Sequence, residues 1–292
     1  MTIPAFINPA AGNAEDARQV LRDVGVFDVR EVPPERLAER VRLAIREGAR
    51  RVLVAGGDGS VGTAAGVIAG TDVELAILPS GTRNHLARDL RLPIDLTEAA
   101  LVAAGTHTMS VDGATVNGRL FLSTSSVGAY VTFVRARERL ERRLGYHAAS
   151  FVALVRLLVH LPTFRIALQV QGVTREYVTP LVFIGVGERE LRLPKLGARI
   201  EGARPGLHVM VVRRRSGART LALALAAAAR GVHAVAATPA LDAFLVDSCR
   251  VAPRMRAAAL DGEIVSVTPP LDYQHLPGCL RVVVGRDGAN EE

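Results

Sequence analysis

The sequence predicts an α/β protein with a second, β-rich domain: an N-terminal parallel sheet covered by helices, then an antiparallel β-sandwich with inserted helices. Three observations predict it. Up to about Gly105, short apolar runs alternate with helical patterns, as expected of parallel strands joined by helical crossovers. Beyond Gly105, strand-like runs follow one another closely around turn dipeptides such as Asn117-Gly118. The chain of 292 residues is also longer than one typical domain.

The elements follow in order. "IPAFI" reads as a strand before a helix over Ala14–Val24, and "FDVREV" as a strand before a helix over Pro34–Glu47 with Leu37, Val41, Ala44 and Ile45 on one face. "RVLVA" leads through a glycine loop to a helix over Val61–Ala69, and "VELAILP" leads to another over Asn84–Leu90. Residues 1–107 form the first domain, with 281–292 expected to return to it, and 108–280 form the second. There, two strand runs flank Asn117-Gly118, a dipeptide suited to a tight hairpin, and helices follow over Val131–Leu144 and Ala148–Leu161. "FRIALQVQG", "YVTPLVFIGVG" and "LHVMVVRR" read as strands before an alanine-rich helix over Thr220–Ala237. "FLVDSCRVAP", "RAAALDGEIVSV" and "CLRVVVG" supply the last strands.

With 49% apolar residues the chain can build a large core and is no disordered tail. The net charge of +7 rests almost wholly on arginine, Lys195 being the only lysine. It suits anionic partners, and an arginine-rich coding bias explains it equally well. Cys249 and Cys279 show no metal-ligand spacing, so a reducing cytoplasm is expected. The N-terminus has no signal-peptide pattern. Ala148–Leu161 is too short to span a membrane, and Thr220–Ala237 is broken by Arg230, Gly231 and His233.

The loop "GGDGS" stands between a buried strand and a helix. Glycines there let backbone amides approach a phosphate at a helix N-terminus, although Asp-Gly is equally a common turn. The loop fits neither the P-loop nor the dinucleotide-binding pattern. "LPSGTRNHLARDL" is a second strand-to-helix loop: Gly81 suits a tight turn, Thr82 offers a hydroxyl, and Asn84 can cap a helix. "NPAAGN" could bring Asn8 and the amides near Gly12 to the same crevice, or simply start a turn. Asp112 lies in a strand-like run, and Asp261 and Glu263 in "ALDGEIVSV" read by spacing as an Asp-Gly hairpin.

Taken in order, "NPAAG", "GGDGS", "LPSGTRNHLARDL", Val111-Asp112 with Asn117-Gly118, and "LDGE" with "LPGCLRVVV" after it resemble the diacylglycerol kinase catalytic-domain family. That family includes soluble bacterial lipid kinases and the sphingosine and ceramide kinases, and the resemblance runs over nearly the whole chain. It implies an N-terminal domain similar to those of NAD kinases and phosphofructokinases, a β-rich C-terminal domain, and a nucleotide site in the cleft between. It also implies transfer of the γ-phosphoryl group of ATP, with Mg²⁺, to the hydroxyl of diacylglycerol or a related lipid alcohol. Carried over by motif, Asn8, Pro9, Gly12, Gly56, Gly57, Asp58, Gly59, Ser60, Gly62, Gly81, Thr82 and Asn84 would bind ATP. Asp58, Asp112 and Glu263 would face the metal, and Asp261 or Glu263 would deprotonate the lipid hydroxyl, with Asp58 also counted among the catalytic acids.

Four departures from the family pattern stand out. His85 replaces the acid of "GTxND", the lysine of "NPxSGK" is absent after Gly12, and no threonine stands near Val32-Pro33. Arg204-Pro205 replace an acidic pair before Gly206-Leu207, so no structural Mg²⁺ is expected there. Two alternatives accompany the lipid-kinase reading: a soluble-substrate kinase of the NAD kinase type, and a catalytically silent nucleotide- or lipid-sensing homologue. Arg135–Arg143 and Arg213–Arg219 would favour peripheral docking on an anionic membrane, although a mixed Arg/Glu run also reads as a solvated helix face. No nucleic-acid reader motif is present, and a homodimer is left open.

Overall fold

Short apolar runs in the first part of the chain become parallel strands because each is followed by helical segments that cross back over the sheet. In this computed structural model, residues 2–82, 84–159, 162–189, 200, 202, 204–213 and 241–286 are described. The alanine-rich stretch Thr220–Ala237 and the basic stretch after Arg213 lie outside them. The chain forms two units, residues 1–113 with 276–292, and residues 114–275.

In the first unit β1 (Ile3–Ile7), β2 (Phe27–Glu31), β3 (Arg51–Gly56) and β4 (Glu74–Pro79) pair in parallel in the order β2-β1-β3-β4. Arg281 and Val282, near the end of the last strand β16 (Leu271–Val283), pair in parallel with Glu74 and Leu75 of β4. Both faces of β3 are buried, as expected of parallel strands under helices. Leu53 and Ala55 join Ala17 and Leu21 of α1 (Ala14–Val24) and Ala99, Ala100 and Ala103 of α5 (Leu96–Ala104). Val52 and Val54 point to the other face. Helix α2 (Pro34–Arg46) packs against α3 (Asp58–Ile68). Since β1 leads outward to β2 and the chain then returns past it to β3, the switch point lies between β1 and β3. Ligands of open α/β sheets gather at the carboxyl ends of the strands flanking such a point.

Two local features differ from the sequence expectation. Helix α3 begins at Asp58, three residues before the expected Val61, so Asp58, Gly59 and Ser60 form its first turn. Helix α5 has no counterpart in the sequence reading, although Asp95 signals its start by accepting hydrogen bonds from the amides of Thr97 (2.9 Å) and Glu98 (3.0 Å). At the far end of the sheet, Glu74 accepts from Arg51 (2.7 and 2.9 Å) and Arg281 (3.1 Å), while Arg51 also donates to the carbonyls of Ala103 and Gly105.

The chain passes from the first unit to the second within β5 (Thr108–Val116) and returns within β16. Strand β5 forms a hairpin with β6 (Arg119–Phe121) through Asn117 (φ 49°) and Gly118 (φ 79°). Asn117 does more than turn the chain: its Nδ2 donates to the carbonyls of Thr268 (2.7 Å) and Pro270 (3.2 Å), and its Oδ1 accepts from the Asp272 amide (2.8 Å).

Two antiparallel sheets build the second unit. One runs β12 (Leu241–Val246), β11 (Leu207–Val212), β10 (Leu181–Val186), β7 (Thr124–Gly128), β14 (Ala257–Leu260), β15 (Glu263–Ser266). The other pairs β16 with β13 (Ser248–Pro253), then β8 (Phe164–Val170) and β9 (Val173–Thr179). Leu168, Val251 and Tyr273 of one sheet and Val127, Ile184 and Val209 of the other share a core, the mark of a sandwich. Helix α6 (Ala129–Val159) breaks at Gly145 (φ 72°, ψ 167°), which separates the two helices the periodicity predicts.

Candidate active site

Within the first unit, the segments after β1, β3 and β4 are tied to one another. The Asn8 amide donates to the Ala55 carbonyl (3.0 Å), its Nδ2 reaches the Ser60 hydroxyl (3.4 Å), and its Oδ1 accepts from the Ala10 amide (3.0 Å). A Cβ on Gly56 would fall 2.7 Å from Ser60 Cβ. A Cβ on Gly81 would fall 2.3 Å from Gly57 Cα and 2.9 Å from Gly57 N, so the two glycine loops touch backbone to backbone. Only glycine allows that approach.

Asn84 holds the second loop in shape. It is buried in the left-handed conformation (φ 50°, ψ 48°); its Oδ1 accepts from the Gly81 amide (3.1 Å), and its Nδ2 donates to the carbonyls of Gly81 (2.8 Å) and Pro79 (3.2 Å). The side chain expected to cap a helix instead ties the loop before it. Asp58 takes over the cap of α4 (His85–Asp89), its Oδ1 accepting from the Leu86 amide (3.2 Å). Among the described residues Asp58 Oδ2 has no hydrogen-bond partner. Gly57, the N-cap of α3, offers no side chain to the first-turn amides. Amides, a helix N-terminus and close glycine contacts are the features that suit an anion.

The other residues expected at the site differ in their surroundings. Thr82 and His85 are exposed, as are Pro9 and Gly12. Gly62 lies one turn inside α3 with open space beside it, so packing gives no reason for glycine there. The buried Ser80 hydroxyl, which the sequence reading did not single out, has no hydrogen-bond partner among the described residues. Asp112 Oδ1 accepts from the Gly278 amide (2.8 Å), bracing β16.

In the second unit, Asp261 (φ 47°) and Gly262 (φ 87°) form the hairpin turn between β14 and β15. The Asp261 carboxylate accepts from the amides of Leu122 (2.8 Å), Ser123 (2.8 Å) and Thr124 (2.9 Å), and its own amide donates to the Thr124 carbonyl (2.8 Å). Burial raises its pKa above the usual aspartate value, while the three amides and the buried Arg189 oppose that rise. Glu263, at the start of β15, is exposed. No group of three or more His, Cys, Asp or Glu side chains suited to a metal ion occurs among the described residues.

Residues 3–116 match the sequence model of the diacylglycerol kinase catalytic domain. A Pseudomonas syringae protein named "Probable lipid kinase YegS-like" is 36% identical over 120 residues, covering 40% of this chain and 39% of the relative. A Mycobacterium tuberculosis protein named diacylglycerol kinase is 34% identical over 106 residues, 34% of each chain. The matched stretches thus span between 34% and 39% of these curated relatives. Two Bacillus anthracis str. Sterne crystal structures carrying the name diacylglycerol kinase superpose over 98% of this chain with TM-scores of 0.75 and 0.68; at 19% and 18% identity that likeness is one of fold. Residues 3–116 are thus similar to the diacylglycerol kinase catalytic domain.

Proposed function

We propose that the protein is an ATP-dependent lipid kinase that transfers the γ-phosphoryl group to the hydroxyl of diacylglycerol or a related lipid alcohol. The observation that carries the reading is the backbone contact between Gly57 and Gly81 at the N-terminus of α3, inside the family-matched segment. Phosphoryl transfer asks the protein chiefly to fix phosphates, neutralise charge and hold the nucleophile in line. The amides of the first turn of α3 and of the Gly81 loop, with Asn8 and the exposed Thr82 hydroxyl, suit the first task.

Mg²⁺ arriving with ATP supplies the charge neutralisation and needs only one or two protein carboxylates. Asp58, with one oxygen on the Leu86 amide and Oδ2 without a partner among the described residues, fits that role best. Asp112 keeps one oxygen on the Gly278 amide. His85 brings no carboxylate, which leaves α4 without the acid that the family pattern supplies there.

Asp261 and Glu263 divide the remaining work. With both carboxylate oxygens engaged by Leu122, Ser123 and Thr124, Asp261 positions the turn. Glu263, exposed two residues later, is the carboxylate suited to receive the proton of the acceptor hydroxyl. Both curated relatives described above carry lipid-kinase names, which favours a lipid over NAD as acceptor.

The test is Mg²⁺-ATP turnover with diacylglycerol in mixed micelles and, separately, with NAD. Formation of phosphorylated lipid, lost in Glu263→Gln with ATP binding retained, is the expected result. Turnover on NAD alone refutes the lipid assignment, and ATP binding without turnover on any acceptor refutes the kinase.

A further inference from the structure

Among the described residues no helix is long and apolar enough to cross a membrane. One element of the second unit carries an unusual surface. The exposed large apolar side chains on α6 are Tyr130, Leu144, Tyr146, Phe151 and Val155, and the exposed aromatic ones on the described surface are all among them. The chain has eight Phe, four Tyr and no Trp, so three exposed aromatics on a single helix mark a real concentration.

The limb after Gly145 is the most telling. Ala149 and Ala153, one turn apart, face the interior, while Phe151 (67% exposed) and Val155 (43% exposed), also one turn apart, face outward with Ala148. Two small residues pack inward while Phe151 and Val155 point out, unlike an ordinary surface helix, which turns its large apolar side chains to the core. Arg156 stands exposed beside Val155, and Arg135, Arg139 and Arg143 are exposed on the limb before the break.

We infer that the second limb of α6 is a membrane-docking helix, with Phe151 and Val155 entering the headgroup boundary of an anionic bilayer and the arginines of α6 drawing it there. The choice of a bilayer rests on the lipid-kinase reading and on charge: apolar side chains beside cations match an anionic lipid surface, whose attraction is worth about 1 kcal/mol per Arg close to it. A second copy of this chain would instead bring a surplus of arginine over Glu138 and Glu141 face to face.

The absence of tryptophan gives a direct test. Phe151→Trp places a single reporter on the face, and Leu101→Trp places one at an exposed position of the first unit. With vesicles of phosphatidylcholine and phosphatidylglycerol, the Phe151→Trp emission should shift to the blue and be quenched by brominated acyl chains, whereas Leu101→Trp should not respond. Phe151→Glu should lower vesicle partitioning on the order of tenfold, since about that much is lost when most of a buried phenyl ring is withheld. An unresponsive Phe151→Trp overturns the inference. So does a dimer that Phe151→Glu dissociates while vesicle binding persists, which assigns the face to a second copy. Vesicle binding is read without ATP, and turnover on a water-soluble short-chain diacylglycerol is read without vesicles, so failure of docking and failure of the kinase reading are separable.

Discussion

Replacing Gly81 by alanine tests the contact on which the proposed nucleotide site depends. The added Cβ would lie 2.3 Å from Gly57 Cα and 2.9 Å from Gly57 N, with Asn84 Oδ1 also at 2.9 Å. Carbon atoms settle at roughly 3.5–4.0 Å, so the two loops have to part by about 1 Å or more. The atoms in the way are backbone, and no flexible side-chain tip can swing aside. Overpacking of this kind costs about 1–3 kcal/mol, or roughly 2–4 °C in Tm per kcal/mol for a protein of this size class. Parting the loops also spoils the convergence of their amides, and a displacement near 1 Å lowers ATP affinity on the order of 10- to 100-fold. Gly66→Ala, in the same helix as Gly62, is the matched control: nothing lies within 4 Å of its added Cβ, and alanine inside a helix gains about 0.5–1 kcal/mol over glycine. Titration with a fluorescent ATP analogue and thermal melting of both variants read the difference. If Gly81→Ala binds the analogue as wild type does, or if both variants lose affinity alike, the loop contact is not what builds the site.

Four further outcomes are expected. Asn84→Ala removes three hydrogen bonds and puts alanine in a left-handed conformation, costing about 2–4 kcal/mol by urea denaturation and weakening ATP binding. Glu74→Ala strands Arg51 and Arg281 at the opposite end of the sheet, costing about 1–3 kcal/mol without changing ATP affinity. Glu263→Gln should lower kcat by about 10²–10⁴ with folding and ATP affinity intact, as loss of a general base does. Because the Asp261 pKa is raised in the fold by burial, its contribution to stability is complete below the unfolded value and is lost as pH climbs through the raised one. Wild type should therefore lose stability relative to Asp261→Asn as pH rises from acid towards neutral, and the opposite slope would show that the three amide bonds outweigh burial.

Much of the frame was readable because it depends on local pattern. Apolar runs marked β1 to β4, the Leu37, Val41 and Ala44 spacing marked α2, and the Asn117-Gly118 dipeptide marked a hairpin, since each signal lies within a few residues. Helix α5 was missed although Asp95 caps it, because an alanine-rich run without a polar face gives little periodicity. The start of α3 was placed late because Asp, Gly and Ser are weak helix formers, and here the end of β3 decides where the helix begins. The candidate site residues stand out as motifs, yet their partners are not legible. Asp261 meets Ser123 across 138 positions, Asp58 caps α4 from 28 positions away, and the Gly57–Gly81 approach exists only once two loops meet. Tertiary contacts of this kind leave no trace in spacing.

The strand that borders β4 comes from the far end of the chain. Arg281 and Val282 pair with β4, the Cys279 carbonyl accepts from the Gly70 amide (2.8 Å), and Val283 joins the core under α1 and α5. A ribosome therefore releases the family-matched residues 3–116 long before that border strand exists. Until it arrives, β4 presents an open edge able to pair with any passing strand. A gene product truncated after His275 should thus aggregate even though every glycine-loop residue is present, and its rescue by a peptide spanning residues 276–286 would show that the first unit completes itself last.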